Sequence, residues 1–411
     1  MITHGIILVT QQSATRIAGL SVLQRTIFAL EHAGVHSITL VPQSATDRTI
    51  ALPLTRSGET HVRWNTPEEL PSTINGDVLL LLRPVILNST AIDALSDLDV
   101  ASGAILAIDA ADRSGKSFAT GIYLITGDVV AHVSRLMAGA IGGSIGDSAE
   151  TRAQLSAGVC YPLGAISDMS ENQAAEKALL ESLRKNTDGF FAYWFDRRLS
   201  TAISRYLVNT GVTPNQLSVL TLFPALVGAL LIAVPDNLIS CLGALLFLVS
   251  TILDGCDGEV ARLKYLESEN GALIDMLCDN IGNVALFTGI VVHVYLDAPG
   301  AGLLYAGVAI IGGTVAAAVF YYPYLTRPKN IKHDGDNTTL TPDQIRRLEL
   351  YERLASRDFA YLLPILAFTG TLHWFVWATA LGVNIFWIAL VTIVVRKRAA
   401  NSLPAESGQI P

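Results

Sequence analysis

The chain has 411 residues, of which 51% are apolar and only 16% charged, against a usual charged share of roughly 25%. Its formal charge of −8 excludes general nucleic-acid binding, which needs a basic face. The four cysteines, Cys160, Cys241, Cys256 and Cys278, show no paired metal-ligand spacing and no disulfide framework, so they read as reduced thiols.

In chain order, residues 1–185 read as a soluble α/β domain. Apolar runs alternate with helical patterns: "GIILVT" (5–10), "VLQRTIFALEHAG" (22–34), "SITLV" (37–41), "DVLLLL" (77–82) and "ATGIYLIT" (119–126). Strand–helix–strand order predicts a Rossmann-like domain with a mostly parallel sheet. "GIILV" is too short for a secretory leader and follows no charged n-region, so it predicts a buried strand and no signal peptide.

The character then changes. "DGFFAYWFDRRLSTAISRYLV" (188–208), within a juxtamembrane stretch 186–211, mixes aromatic and basic residues at helical spacing. It predicts an amphipathic helix lying in a membrane interface, with a linker helix packed on the soluble domain as the alternative. In "VTPNQLS" (212–218), Pro214 suits the first turn of the next helix.

Residues 212–398 hold six apolar segments, each near the ~20 residues that span a bilayer. They are 212–234, 237–257, 272–295, 300–325, 358–373 and 374–395. The break between the last two, "TGTLHW" (369–374), is weak, so five spans are the alternative. Lys and Arg orient the set. They collect before the first span (Arg197, Arg198, Arg205), between the second and third (Arg262, Lys264), across 326–357 and at 396–398. The intervening "PD" (235–236) and "DAPG" (297–300) have none. Six spans with both termini cytoplasmic satisfy this distribution, and residues 399–411 read as a disordered tail.

Aspartates stand out against this apolar background. Asp254 and Asp257, three apart at the end of the second segment, share a helix face. Asp275 and Asp279, four apart at the start of the third, do the same. A short connection makes the two helices antiparallel neighbours, so the four carboxylates converge at the cytoplasmic side. Unpaired anions packed together repel and force protonation. A bound cation removes the problem, and all-oxygen ligation points to Mg²⁺, Mn²⁺ or Ca²⁺ rather than zinc. Gly258 and Gly271 flank the acids, although glycine in a helix interior costs about 1 kcal/mol relative to alanine. With the small Ala261 they predict close approach of something bulky, and Arg262 supplies a cation suited to phosphate. A membrane cation transporter would explain the acids. It would not explain Gly258, Ala261 and Arg262.

The pattern D-x-x-D-G-x-x-A-R, eight residues, then G-x-x-x-D-x-x-x-D is filled by Asp254, Asp257, Gly258, Ala261, Arg262, Gly271, Asp275 and Asp279. It resembles the signature of CDP-alcohol phosphotransferases, and "TPNQLS" resembles the start of that family's first span; the resemblance covers about 186–398. It implies a membrane transferase with six spans, with both termini and the site cytoplasmic, acting as a homodimer. Asp254, Asp257, Asp275 and Asp279 would surround a pair of Mg²⁺ or Mn²⁺ ions, with Ca²⁺ able to bind without supporting activity. Asp279 would also be the general base that takes the acceptor hydroxyl proton. Asn215, Gly258, Ala261, Arg262 and Gly271 would receive the nucleotide. The donor would be CDP-diacylglycerol or a CDP-polyol, and CMP would leave.

"AGLSVLQRTIFALEHAGVHSITLV" (18–41) resembles part of sugar-phosphate nucleotidyltransferases, which would make Asp77 and Asp168 the metal-binding acids. The chain departs from that family at "VTQQSATRIAGLS" (9–21), with no glycine run and no lysine, so phosphates lose their backbone cradle. The expectation is a nucleotidyltransferase-like but inactive domain. A bifunctional enzyme that also makes its CDP-alcohol from CTP is the alternative. The two-domain order and "SRDFAYLLPIL" (356–366) resemble fusions of an inositol-phosphate cytidylyltransferase with a di-inositol-phosphate-phosphate synthase. That resemblance makes Arg197, Arg198 and Lys264 candidates for an acceptor phosphate, or for lipid headgroups. Asn280 and Asn283 stand where many members carry a base and an acid, which bears on the choice of acceptor.

Overall fold

The computed structural model describes residues 2–49, 55–70 except 57, 76–87, 104–111, 117–126, 130–141, 151–155, 160–162, 169–181, 196–325 and 359–401, with the single positions 92, 95, 98 and 183. Asp168, most of the aromatic stretch before Arg197, the basic connection 326–358 and the tail from 402 lie outside the described residues. The chain divides into two compact units, Met1–Leu183 with Leu263–Tyr265, and Arg184–Arg262 with Leu266–Pro411.

The first unit contains β1 (Ile2–Val9), β2 (Arg16–Ile17), β3 (Leu20–Ser21), α1 (Val22–His32), β4 (Ser37–Pro42), β5 (His61–Trp64), β6 (Asp77–Leu81) and β7 (Val85–Leu87). It continues with β8 (Ile105–Ala111), β9 (Ser117–Ile125), α2 (Val130–Ile141), β10 (Thr151–Leu155), β11 (Cys160–Pro162) and α3 (Met169–Glu181). Seven strands form one sheet in the order β10-β8-β9-β6-β1-β4-β5. Neighbours are parallel except at β9, which runs antiparallel to both β6 and β8. Only residues 112–116 separate β8 from β9, too few for the crossover that a parallel pair needs. Residues 6–9 of β1 are all buried, as expected for a strand covered on both faces. Ser21 caps α1 through a reciprocal box with Gln24, and Gly34, at φ +82, follows its last turn.

Strand order reverses at β1, which pairs with β4 on one side and β6 on the other. In such sheets ligands bind beyond the carboxyl ends at this point. Here β1 runs into a 3₁₀ turn, Gln11–Ala14, and then a hairpin β2–β3 closed by Ala18 (φ +47) and Gly19 (φ +80). Arg25, 1% exposed, donates to the carbonyls of Ile17 and Ala18 and so fastens that hairpin to α1. Asp77 opens β6 opposite Ile2, the first residue of β1. It therefore stands at the amino end of the sheet, away from the crevice that the nucleotidyltransferase resemblance required.

The second unit is helical: α4 (Arg197–Leu207), α5 (Pro214–Ile232), α6 (Asn237–Lys264), α7 (Glu269–Asp297), α8 (Ala301–Leu325), α9 (Phe359–Phe368) and α10 (Leu372–Asn401). Thr213 caps α5 with Gln216, and Pro214 occupies its first turn. Among the described residues, three helices are long and apolar enough to cross a membrane: α5, α6 and α7, with 19, 28 and 29 residues. That is the helical region of a membrane protein. Six full spans are not confirmed, because α9 has only 10 described residues. The weak break is real but earlier than expected: Gly370 at φ +68 separates α9 from α10, which starts at Leu372. Helix α6 runs seven residues past the expected end at 257, to Lys264, and α7 starts at Glu269 rather than 272. The acids therefore lie inside helices.

Close helix approach is made by glycines, as is usual where apolar surroundings give packing alone to work with. A Cβ on Gly243 would fall 2.6 Å from the carbonyl oxygen of Gly228, joining α6 to α5. One on Gly289 would run into the carbonyl oxygen of Ala229, joining α7 to α5. His293 on α7 is buried, with Nδ1 2.7 Å from the carbonyl of Val234 and 3.0 Å from that of Ile232. As a donor it satisfies groups that the end of α5 leaves open.

Candidate metal centre and active site

Asp254 and Asp257 come from α6, and Asp275 and Asp279 from α7. Carboxylate oxygens of Asp254, Asp257 and Asp275 all lie within 4.8 Å of one another. Asp257 is 5% exposed. One of its oxygens accepts from the Ser218 hydroxyl on α5 and the other from the Gly258 amide. Three helices thus meet at one carboxylate. Three anionic groups at this separation repel strongly in low dielectric. Their donor set, all hard oxygen, suits Mg²⁺ or Mn²⁺, which takes few carboxylates and completes its shell with water or phosphate.

Asp279, expected both as ligand and as base, is not part of that trio. It shares with Asp254 a cavity of about 20 Å³, room for roughly one water. Ser250, Thr251 and Asn283 also line it.

Two glycines are explained by protein neighbours. A Cβ on Gly258 would lie 3.3 Å from Nη1 of Arg262, whose guanidinium folds back along α6. A Cβ on Gly271 would lie 3.1 Å from Oδ1 of Asn215. Gly271 thereby brings the start of α5 beside the start of α7. Ala261 is buried.

The candidate phosphate-binding residues have different surroundings. Arg197 donates from Nη1 to Glu259 at 3.1 Å, within the contact of α4 with α6. Arg198 is exposed, and Lys264 falls in the segment grouped with the first unit. Asn280 turns its amide onto the carbonyl of Met276, 2.7 Å away on its own helix, whereas Asn283 faces the cavity.

Sequence reasoning missed Ser218, Ser200 and Glu259. Ser218 had a signal: it lies three residues after Asn215 and therefore on the same face of α5. Glu259 offered only a charge inside an apolar helix.

Residues 211–334 match the family model for CDP-alcohol phosphatidyltransferase. The acid trio, Asp279 and both glycines fall inside that segment. The bifunctional IPC transferase and DIPP synthase of Aquifex aeolicus (strain VF5) is 35% identical over 29% of this chain and 27% of its own length. Its counterpart in Thermococcus kodakarensis is 38% identical over 26% of this chain and 24% of its own. A phosphatidylinositol phosphate synthase of Mycobacterium tuberculosis (strain ATCC 25618 / H37Rv) is 31% identical over 23% of this chain and 42% of its own. The matched segment spans about a quarter of the length of the first two relatives. The similarity to that family is confined to residues 211–334.

Proposed function

We propose that this protein is a metal-dependent CDP-alcohol phosphotransferase of the membrane. The observation that carries this reading is the trio Asp254, Asp257 and Asp275, with oxygens within 4.8 Å, inside the segment that matches the family. These three would hold divalent metal, Mg²⁺ or Mn²⁺. When bound, the metal neutralises charge on the donor's diphosphate.

The remaining steps belong to the chain. Asp279 accepts the proton of the acceptor hydroxyl from its place beside the cavity. The acceptor oxygen bonds to the phosphorus that carries the donor alcohol, the bond to the bridging oxygen breaks, and CMP leaves. The product is a phosphodiester. Asn215 and Arg262 orient the nucleotide. Arg198, exposed at the start of α4, is a candidate for an acceptor phosphate or a headgroup.

The donor is CDP-diacylglycerol or a CDP-polyol, and the acceptor a small polar alcohol or its phosphate. In this reading the protein is multi-pass with the acids and both termini on the cytoplasmic side, which the distribution of basic residues in the connections supports. A role for the first unit in making the CDP-alcohol from CTP is the second reading, favoured by the two bifunctional relatives. The test is to incubate purified protein and Mg²⁺ with a panel of CDP-alcohols and acceptors and to detect CMP. Mg²⁺-dependent CMP with at least one pair supports the reading, and none with any pair sinks it. A parallel run with CTP and inositol phosphate decides the role of the first unit.

A further inference from the structure

Asp257 and Glu259 are two residues apart on α6, about 200° around the helix. They therefore look in opposite directions. Asp257 faces Ser218 and Asp275, while Glu259 faces α4. Glu259 is 0% exposed. Its Oε1 accepts both from Nη1 of Arg197 at 3.1 Å and from the Ser200 hydroxyl at 2.7 Å. Its Oε2 is equally buried and makes no hydrogen bond among the described residues. Around this pair α4 and α6 lie in direct contact. A Cβ on Gly255 would touch the Ser200 side chain at 3.7 Å, and the Cys256 thiol donates to the Ser200 carbonyl at 3.6 Å. Next to Arg197, Asp196 accepts from the Tyr361 hydroxyl on α9, so α4 is held from two sides.

Stability alone does not account for this. A buried ion pair holds two helices no better than well-packed hydrocarbon of the same volume. What an ion pair adds is register, because only one rotation and height of α6 brings Glu259 to Arg197 and Ser200 together. That same turn of α6 presents Asp254 and Asp257 to α7.

We propose that Glu259 is a positioning residue for the metal-binding acids: paired with Arg197 and Ser200, it fixes the turn of α6 from which Asp254 and Asp257 reach Asp275. This rests on the reading of the trio as the metal site of a CDP-alcohol phosphotransferase. It also removes Arg197 from the acceptor, because the guanidinium is committed to the helix contact.

The test uses full-length protein in detergent, with Mn²⁺ affinity read by electron paramagnetic resonance, thermal unfolding, and CMP release against metal and acceptor. Glu259→Ala is expected to weaken Mn²⁺ tenfold or more and to lower kcat, leaving the acceptor KM within twofold. Glu259→Gln, which keeps an acceptor oxygen, recovers most of the loss. Arg197→Ala combined with Glu259→Ala is expected to resemble either single variant rather than their product. Ser200→Ala removes a single hydrogen bond and keeps the proposal testable if the larger truncation does not fold. It is expected to weaken Mn²⁺ about threefold with an unchanged unfolding temperature.

Unchanged Mn²⁺ affinity in Ser200→Ala and in a folded Glu259→Ala overturns the proposal. So does an Arg197→Ala variant that raises the acceptor KM independently of Glu259. If wild type binds Mn²⁺ in a Glu259-dependent way but releases no CMP, the positioning role stands and the assigned reaction falls. If CMP release persists in all variants, the reaction stands and the positioning role falls.

Discussion

The two units place their polar residues by opposite rules. In the α/β unit the interior is mainly hydrocarbon, with Ile6, Ile38, Leu79 and Leu80 at 0% exposure and Arg25 the large buried exception. In the helical unit large apolar side chains face outward, with Leu220, Phe223 and Leu230 on α5 at 65%, 68% and 72% exposure. There Asp257, Glu259, Ser218 and His293 are inside. An apolar pattern therefore locates the core in the first unit and says little about it in the second. In a lipid-facing bundle the residue worth explaining is the buried polar one. The first unit reverses the lesson. Its fold has the crevice where ligands bind, at the carboxyl end of β1, yet a 3₁₀ turn and a hairpin fastened by Arg25 stand there.

The strongest challenge to this contrast is Asp257→Ala. Loss of a buried ligand that three helices share should abolish Mn²⁺ binding and lower CMP release by about 10³-fold or more; retained binding would remove Asp257 from the metal site. Asp279→Asn should reduce CMP release by about 10²–10⁴-fold, the usual contribution of a general base. In that variant Mn²⁺ affinity stays within twofold of wild type, which separates base from ligand; a parallel loss of both would merge the roles.

Next in size is a packing effect. Gly289→Leu forces a side chain into the carbonyl of Ala229 and should cost about 1–3 kcal/mol of stability, seen as a lower unfolding temperature in detergent. The same change at Gly312, where an added Cβ meets nothing within 4 Å, should be close to neutral.

The smallest effect concerns the first unit and pH. Burial lowers the pKa of His4, whose Nε2 lies 2.9 Å from the Thr39 hydroxyl. The unfolded chain then binds more protons than the folded one below about pH 6.5, so stability falls as pH drops through that value and levels off below the folded pKa. Protection of β1 amides from hydrogen exchange should fall between pH 7.5 and 5.5, and His4→Asn should flatten that dependence. A pH-independent protection in wild type would remove His4 as the cause.

Much of the frame was legible in the sequence. β1, α1 and β4 follow from short apolar runs and a capped amphipathic stretch, and the acid spacing alone brought Asp254, Asp257 and Asp275 together. Strand direction was not legible, because period-two alternation is the same in either sense; β9 shows this. Asp77 was placed in the right strand but at the wrong end for chemistry, which only the pairing with Ile2 reveals. Arg197 read as an exposed basic residue, since nothing local distinguishes it from Arg198; a partner 62 positions away decides it. Ser218 and Glu259 escaped for a related reason: helices apolar all round carry no periodicity to say which face meets which neighbour.

The most direct measurement sets two readouts side by side for wild type and Asp279→Asn in proteoliposomes: CMP and phosphodiester formed from a CDP-alcohol and its acceptor, and divalent-cation flux. The account predicts CMP and phosphodiester in equal amounts from wild type, both reduced about 10²–10⁴-fold in Asp279→Asn, and no flux from either. Cation flux without CMP from wild type would contradict it.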